Sequence, residues 1–299
     1  MSDEKPRPNY GGQAVIEGVL MRGTRTYSIA VRTPDRSILI ESQDFGSNRR
    51  ARWIRIPFLR GPLVLWESLV IGIRALTFSA NAQTEDESER IEGSSLTLTL
   101  LGSIAIGLFV FLLVPAGLAI LLQNLFGITN LAANVLEGGI RLCLLIGYVW
   151  GIGRMPEIER VYGYHGAEHM TIHAYEADAP LTPESIRSFN REHPRCGTAF
   201  LLTVALLSII LFSLIGPLPI LARLASRILF IPVLASIAYE YIRFTARFSG
   251  QAWVRPLVWP NLALQRLTTR TPSPGMIEVA IASFESMRQR EGETKQLGT

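Results

Sequence analysis

Long apolar runs at residues 96–123, 131–153, 198–222 and 228–244 dominate the hydropathy pattern of the chain. About twenty apolar residues cross a bilayer, so each run predicts a transmembrane helix. The first run carries no charge before its end, and the third is bent by Gly216-Pro217-Leu218-Pro219. Upstream the pattern changes. Residues 11–23 form a glycine-punctuated apolar segment carrying Gln13, Glu17 and Arg22. Tyr27, Ile29 and Val31 then alternate with Ser28, Ala30 and Arg32, a turn follows at Thr33-Pro34-Asp35-Arg36, and Ile38 and Ile40 resume the alternation. Alternation about such a turn predicts a β-hairpin. Residues 62–80 fit a helix of membrane length, but Glu67 and Arg74 interrupt it and favour an amphipathic, packed helix over a span.

Between the second and third runs lies a polar segment, 154–196. It predicts a helix from Glu157 to about Ala177, stopped by Pro180, in which Gly163 and Gly166 argue against continuity. A short helix follows, with Thr182 as N-cap and Pro183 at its first position. An amphipathic helix from Met276 to Gln289 closes the chain. The fold class expected is an α-helical integral membrane protein of about four transmembrane helices, with a small N-terminal β-containing (α+β) cytoplasmic region. It divides into 1–95, the helix pair 96–153, the polar segment 154–196, the helix pair 197–246 and a helical C-terminal region 247–299.

Composition supports this. Apolar residues make up 48% and charged residues 18% of 299 residues, and mean hydropathy is +0.26. The pI near 9.3 comes almost wholly from arginine. The arginines flank the apolar runs without forming an aromatic-interleaved stripe, so no nucleic-acid partner is expected. A basic patch at Arg49, Arg50, Arg52 and Arg55 suits either a membrane surface or a solvated face. Thirteen Arg and Lys fall in 1–95, five in 154–196 and seven in 245–299, against two, Arg223 and Arg227, in the turn between the last two runs. The positive-inside rule places both termini and the polar segment in the cytoplasm of an inner (plasma) membrane protein. The first residues carry no apolar h-region, so no cleaved signal peptide is expected. Two cysteines, Cys143 and Cys196, exclude a disulfide framework and leave Cys196 as a thiol or a metal ligand. Glu137 and Arg141, one helical turn apart in the second run, can neutralise each other and are either a functional site at membrane depth or a plain salt bridge.

The candidate chemistry sits in the polar segment. At about 100° per residue, His165, Glu168, His169, His173 and Glu176 share one helix face. Imidazoles at i and i+4 can chelate one divalent metal, and the order H-x-x-E-H matches the inverted zincin pattern, in which the glutamate is the general base. His165 and His169 are the expected ligands and Glu168 the catalytic base; the third ligand is open among His173, His193, Cys196 and Glu240. Alternatively His173, His193 and Cys196 close a structural shell. Nitrogen, carboxylate and thiolate donors together suit zinc.

Five ordered motifs run through the chain: Gly-Gly-Gln-Ala-Val-Ile-Glu-Gly-Val-Leu-Met-Arg-Gly (11–23), Pro-Phe-Leu-Arg-Gly (57–61), Tyr-His-Gly-Ala-Glu-His (164–169), His-Pro-Arg-Cys-Gly-Thr (193–198) and Leu-Thr-Thr-Arg (267–270). With them the chain resembles the bacterial YqhQ-like membrane family, a domain of unknown function whose members are described as predicted metal-dependent enzymes. The resemblance implies a membrane protein with a metal site at His165, Glu168, His169, His193 and Cys196, and names no substrate. The function expected is a metal-dependent, hydrolytic enzyme at the cytoplasmic face of the lipid bilayer. The alternative is a non-enzymatic scaffold or transport component with a structural or sensory metal loop. Four spans without a duplicated half are few for a transporter, so that version needs a homo-oligomer.

Overall fold

The computed structural model describes residues 10–45, 56–84, 93–215 and 218–297, with side chains as far as residue 293. The basic patch at 49–55, the acidic run 85–90 and Gly216-Pro217 lie outside these residues.

The N-terminal region forms an antiparallel meander of β1 (Gly11–Val15), β2 (Gly18–Arg22), β3 (Thr26–Arg32) and β4 (Ile38–Asp44). The predicted hairpin is β3–β4, with Arg36 in its turn at φ 70°. The glycine-punctuated segment forms a second hairpin that alternation did not disclose. Val15 pairs with Gly18 across the loop Ile16–Glu17, and a Cβ on Gly18 would meet the Ala30 carbonyl oxygen at 2.3 Å. The reason is burial on both faces, which replaces alternation with a nearly continuous apolar run. Val19, Met21 and Ala30 enter one core, while Leu20, Tyr27, Ile29 and Val31 enter another with Ile71 and Ala75.

Two helices cover the first face. α5 (Pro156–Glu176) lies against β1 and β2, and α11 (Pro274–Leu297) crosses β2, β3 and β4. The apolar stripe Ile277, Ala280, Phe284 and Met287 of α11 is fully buried, spaced as one helix face requires. On the second face lies α1 (Arg60–Asn81). Its two interrupting charges are both used by the sheet: Glu67 pairs with Arg22, and Arg74 donates to Gln43 Oε1 at 2.6 Å and to the Tyr27 hydroxyl at 3.2 Å.

Among the described residues, three helices are long and apolar enough to cross a membrane: α1, the 34-residue rod Gly93–Phe126, and α4 (Asn130–Ile152). The rod consists of α2 (Gly93–Leu108), a π-turn at Phe109–Leu113 and α3 (Val114–Phe126). Pro115 has no N–H to offer the carbonyl four residues earlier, and that carbonyl, on Phe111, accepts from Arg141 Nε of α4 at 2.9 Å.

The second half departs from expectation. α7 (Thr198–Leu214) stops short of the predicted end at 222. Where a turn was predicted, α8 (Ile220–Leu229) forms, meeting α9 (Ile231–Arg247) at a 42° bend beside Pro232; counted as one span, the pair brings the total to four. Arg223 and Arg227 are four apart on one face of α8 and turn inward to Glu137, so this carboxylate serves three arginines rather than Arg141 alone. The short α6 (Pro183–Ile186) carries the predicted Thr182 cap, and α10 (Arg255–Thr268) leads into α11.

Candidate metal centre

α5 is unbroken, and its glycines are contact points. A Cβ on Gly166 would lie 2.2 Å from the Arg270 carbonyl oxygen, and one on Gly163 would lie 2.8 Å from Met276 Sδ. Without side chains there, the segment from Thr268 to Met276 lies directly on the helix, held by Arg270 N–H donating to the Tyr162 carbonyl at 2.8 Å. This delivers the Thr268 carbonyl to His165 Nδ1 at 2.8 Å.

The single face of candidate ligands divides into two groups. Potential ligand atoms of His165, His169 and Cys196 lie within 4.8 Å of one another, all on buried residues, and those of His173, Glu176 and His193 do the same. Glu240 belongs to neither group: its carboxylate is engaged by the Arg60 guanidinium and accepts from Phe58 N–H at 3.2 Å.

The first group has the hydrogen-bonding pattern of a metal site. His165 Nδ1 faces the Thr268 carbonyl and His169 Nδ1 faces the Arg191 carbonyl at 2.5 Å. A carbonyl only accepts, so both Nδ1 atoms carry the proton and both Nε2 atoms keep a lone pair, the tautomer that ligation needs. His165 Nε2 lies 3.2 Å from Cys196 Sγ, whereas His169 Nε2 is buried without a hydrogen-bond partner. Burial pushes the His169 pKa down, opposed by the Cys196 sulfur, so the ring is neutral. Thr198 N–H donates to Cys196 Sγ at 3.4 Å and orients the sulfur. An orphaned buried acceptor carries a desolvation penalty, and two imidazole nitrogens with one sulfur fit a tetrahedral cation such as zinc, with one position left.

The second group already holds a cation. Glu176 is ion-paired with Arg195. His173 Nε2 donates to the Glu192 carbonyl at 2.9 Å, and burial draws its pKa down to about 4 despite that carbonyl. His193 Nδ1 accepts from Arg195 N–H at 3.2 Å, which leaves the proton of the neutral ring on Nε2, 3.6 Å from Glu176. That tautomer does not offer Nε2 as a ligand.

A cavity of about 190 Å³ opens between α5, β1 and α1, with His169, Cys196 and Glu168 on its wall. Glu168 is buried, and burial pushes its pKa up. The backbone of β1 presses on it, since a Cβ on Gly12 would meet Glu168 Cγ at 2.8 Å. Gln13, Arg22 and Arg195 line the same cavity. In the sequence, Gln13 and Arg22 stand out only as polar residues inside the apolar, glycine-rich run, whereas Arg195 belongs to the His-Pro-Arg-Cys motif itself. Gln265, fully buried, was also missed. Its amide accepts from His193 N–H at 2.8 Å and donates to the His193 carbonyl at 2.9 Å, fixing the His-Pro-Arg-Cys loop.

Fold and site define a class: a mostly helical protein with three to four helices of membrane-crossing length, a four-stranded N-terminal sheet and buried His/Cys residues that could hold a metal ion. The chain belongs to the family described as protein of unknown function (DUF1385), whose model matches residues 56–290. It is similar to the uncharacterized protein YqhQ of Bacillus subtilis (strain 168), 35% identical over 310 residues, covering 99% of this chain and 97% of that protein. No solved structure matches it.

Proposed function

We propose that the protein is a membrane-embedded, metal-dependent hydrolase whose site lies at the cytoplasmic bilayer face. The observation that carries this reading is the convergence of His165, His169 and Cys196, both Nδ1 atoms tied to carbonyls, on a cavity that also holds Glu168. Three protein ligands with an open position are the pattern of catalytic rather than structural zinc. The nearby His193 ring, 5.7 Å from His169, is committed to the tautomer that does not close the shell. When bound, the metal supplies Lewis-acid activation of a substrate oxygen or of water. Glu168 would take the proton of that water on its carboxylate, whose pKa burial raises above the ordinary carboxylate value. Arg22 and Arg195, each paired with a carboxylate, line the cavity with hydrogen-bond donors for a polar substrate.

Chain connectivity supports the membrane part. The rod, α4, α7 and α9 make an even number of crossings, and α7, 17 residues and about 25 Å long, reaches the lower limit for a span. The sheet, α5 and α11 then share one side, as their packing requires. α1 lies along this unit instead of crossing, because positions from Glu67 to Gln83 are bonded to the sheet. The excess of arginine on that side makes it cytoplasmic.

Metal analysis of the purified protein tests the reading. Wild type should carry about one equivalent of metal, and His169→Ala and Cys196→Ala should lose it. Glu168→Gln should keep the metal and lose function in complementation. A wild type without stoichiometric metal after gentle purification at neutral pH would sink the proposal.

A further inference from the structure

A second polar cluster lies at the opposite end of the helices, where α3 ends, α4 begins and α7 ends. Glu137 accepts from Arg141 Nη2 at 2.8 Å, from Arg227 Nε at 2.7 Å and Nη2 at 2.6 Å, and from Arg223 Nη2 at 3.5 Å. Asn134 Oδ1 accepts from Arg223 at 3.3 Å and Arg227 at 3.2 Å. Arg141 is completed by the Phe111 carbonyl and Ser208 Oγ, and Arg227 by Phe212, whose ring centroid is 3.8 Å from the guanidinium carbon. Asn134, Glu137 and all three arginines are nine-tenths or more buried.

The charges do not balance. Glu137 is the one carboxylate paired with these three guanidinium groups among the described residues, leaving an excess of two positive charges. Arginine does not shed its proton in proteins, and an uncompensated buried charge is costly. The cluster therefore needs an anion. One donor is also unused: Arg223 Nε is buried without a partner. Arg223, Arg227 and Asn134 line a cleft of about 10 Å³, room for one oxygen-sized atom, beside Asn130, the first residue of α4.

We propose that this cluster is a phosphate-binding site, with one phosphate oxygen in the cleft against Arg223 and the remainder of the group at its mouth. In the membrane orientation proposed above, the mouth stands at the level of lipid headgroups on the non-cytoplasmic side. The outward face of α8, with Ile220, Leu221, Ile228 and Leu229 exposed, offers an apolar surface to adjoining acyl chains. The phosphate comes either from an anionic phospholipid headgroup or from free inorganic phosphate.

The test uses the full-length protein in mixed lipid micelles. Native mass spectrometry compares retention of phosphatidylglycerol with that of phosphatidylcholine, and thermal unfolding is followed with inorganic phosphate against chloride at matched ionic strength. Wild type should prefer phosphatidylglycerol about tenfold, the value of one charge-assisted contact, and Arg223→Gln should abolish the preference while metal content stays unchanged. A phosphate-dependent shift without lipid preference, lost in Arg223→Gln, assigns the site to the free anion. The proposal is overturned if wild type shows neither effect, a measurement independent of how the variant folds, or if Arg223→Gln keeps the wild-type response. Neither result bears on the metal centre.

Discussion

At the residue scale, two carbonyls distant in sequence, those of Thr268 and Arg191, fix the ring tautomers that set His165 and His169 apart from the other histidines. Glu240 is kept out of the centre by the guanidinium of Arg60. Gly166 gives the Thr268 contact a test. Gly166→Ala drives a methyl group into the Arg270 backbone, a strain of about 1–3 kcal/mol, and lifts the Thr268 carbonyl from His165. Loss of such an outer-shell contact weakens metal binding about 10- to 100-fold. Chelator competition should show this weakening in a protein that still folds; unchanged affinity would remove the positioning role of the 268–276 segment. His173 gives a pH test. Its folded pKa of about 4 lies below the ordinary 6.5, so between those values the unfolded chain binds the extra proton. Its contribution to stability is present above pH 6.5 and is lost as pH falls toward 4. Melting of the metal-free protein should steepen over that window in wild type and flatten in His173→Gln; identical curves would contradict the assignment. The histidine face was legible in the sequence because helical periodicity alone brings His165, His169 and Glu168 together, whereas the partition into two groups depends on the Thr268 and Arg191 carbonyls, distant in sequence.

At the element scale, the clearest sequence signals came from elements with one buried face. The β3–β4 hairpin alternates and α11 carries an i, i+3, i+7 stripe, so both stood out. β1 and β2 did not, since a sheet covered on both sides loses its period. α8 was hidden for a different reason: its arginines read as flanking charges when they are its buried face. Three carboxylates join the sheet region to α11 among the described residues: Glu278 on Arg32, Asp44 on Arg290, and Glu291 at the β2–β3 turn. Burial works against the charge of Glu291, yet donors on Thr24, Arg25 and Tyr10 outweigh it and hold its pKa below the ordinary carboxylate value. Thr24 Oγ1 donates at 2.6 Å, Arg25 N–H at 2.9 Å and the Tyr10 hydroxyl at 3.2 Å. Glu291→Gln removes the charge from these bonds and should cost about 1.5–3 kcal/mol. Hydrogen exchange should accelerate in α11 and at the β2–β3 turn while α7 and α9 stay unchanged; uniform acceleration would mean that α11 is not a locally anchored unit.

At the scale of the whole molecule, the two polar clusters occupy opposite ends of the same helices. α4 leads from Asn134 and Glu137 at one end to α5 at the other, and α7 runs back from Cys196 to Phe212. In the proposed membrane orientation, a bilayer around this bundle separates the histidines from the arginines. Residues 126–128, between α3 and α4, therefore belong with the arginine cluster, and residues 177–180, after α5, with the metal centre. A cysteine placed at Gly127 should react with a membrane-impermeant maleimide in intact cells, whereas one placed at Asp178 should react only after permeabilisation, each measured against the parent protein. Cys196 is buried, and Cys143, exposed on α4, is replaced by serine in the parent to keep the background low. The reverse pattern would invert the proposed orientation and put the candidate metal centre outside the cell. Reaction of both positions from one side would be incompatible with α4 as a crossing helix, and the separation of the clusters by a bilayer would have to be abandoned.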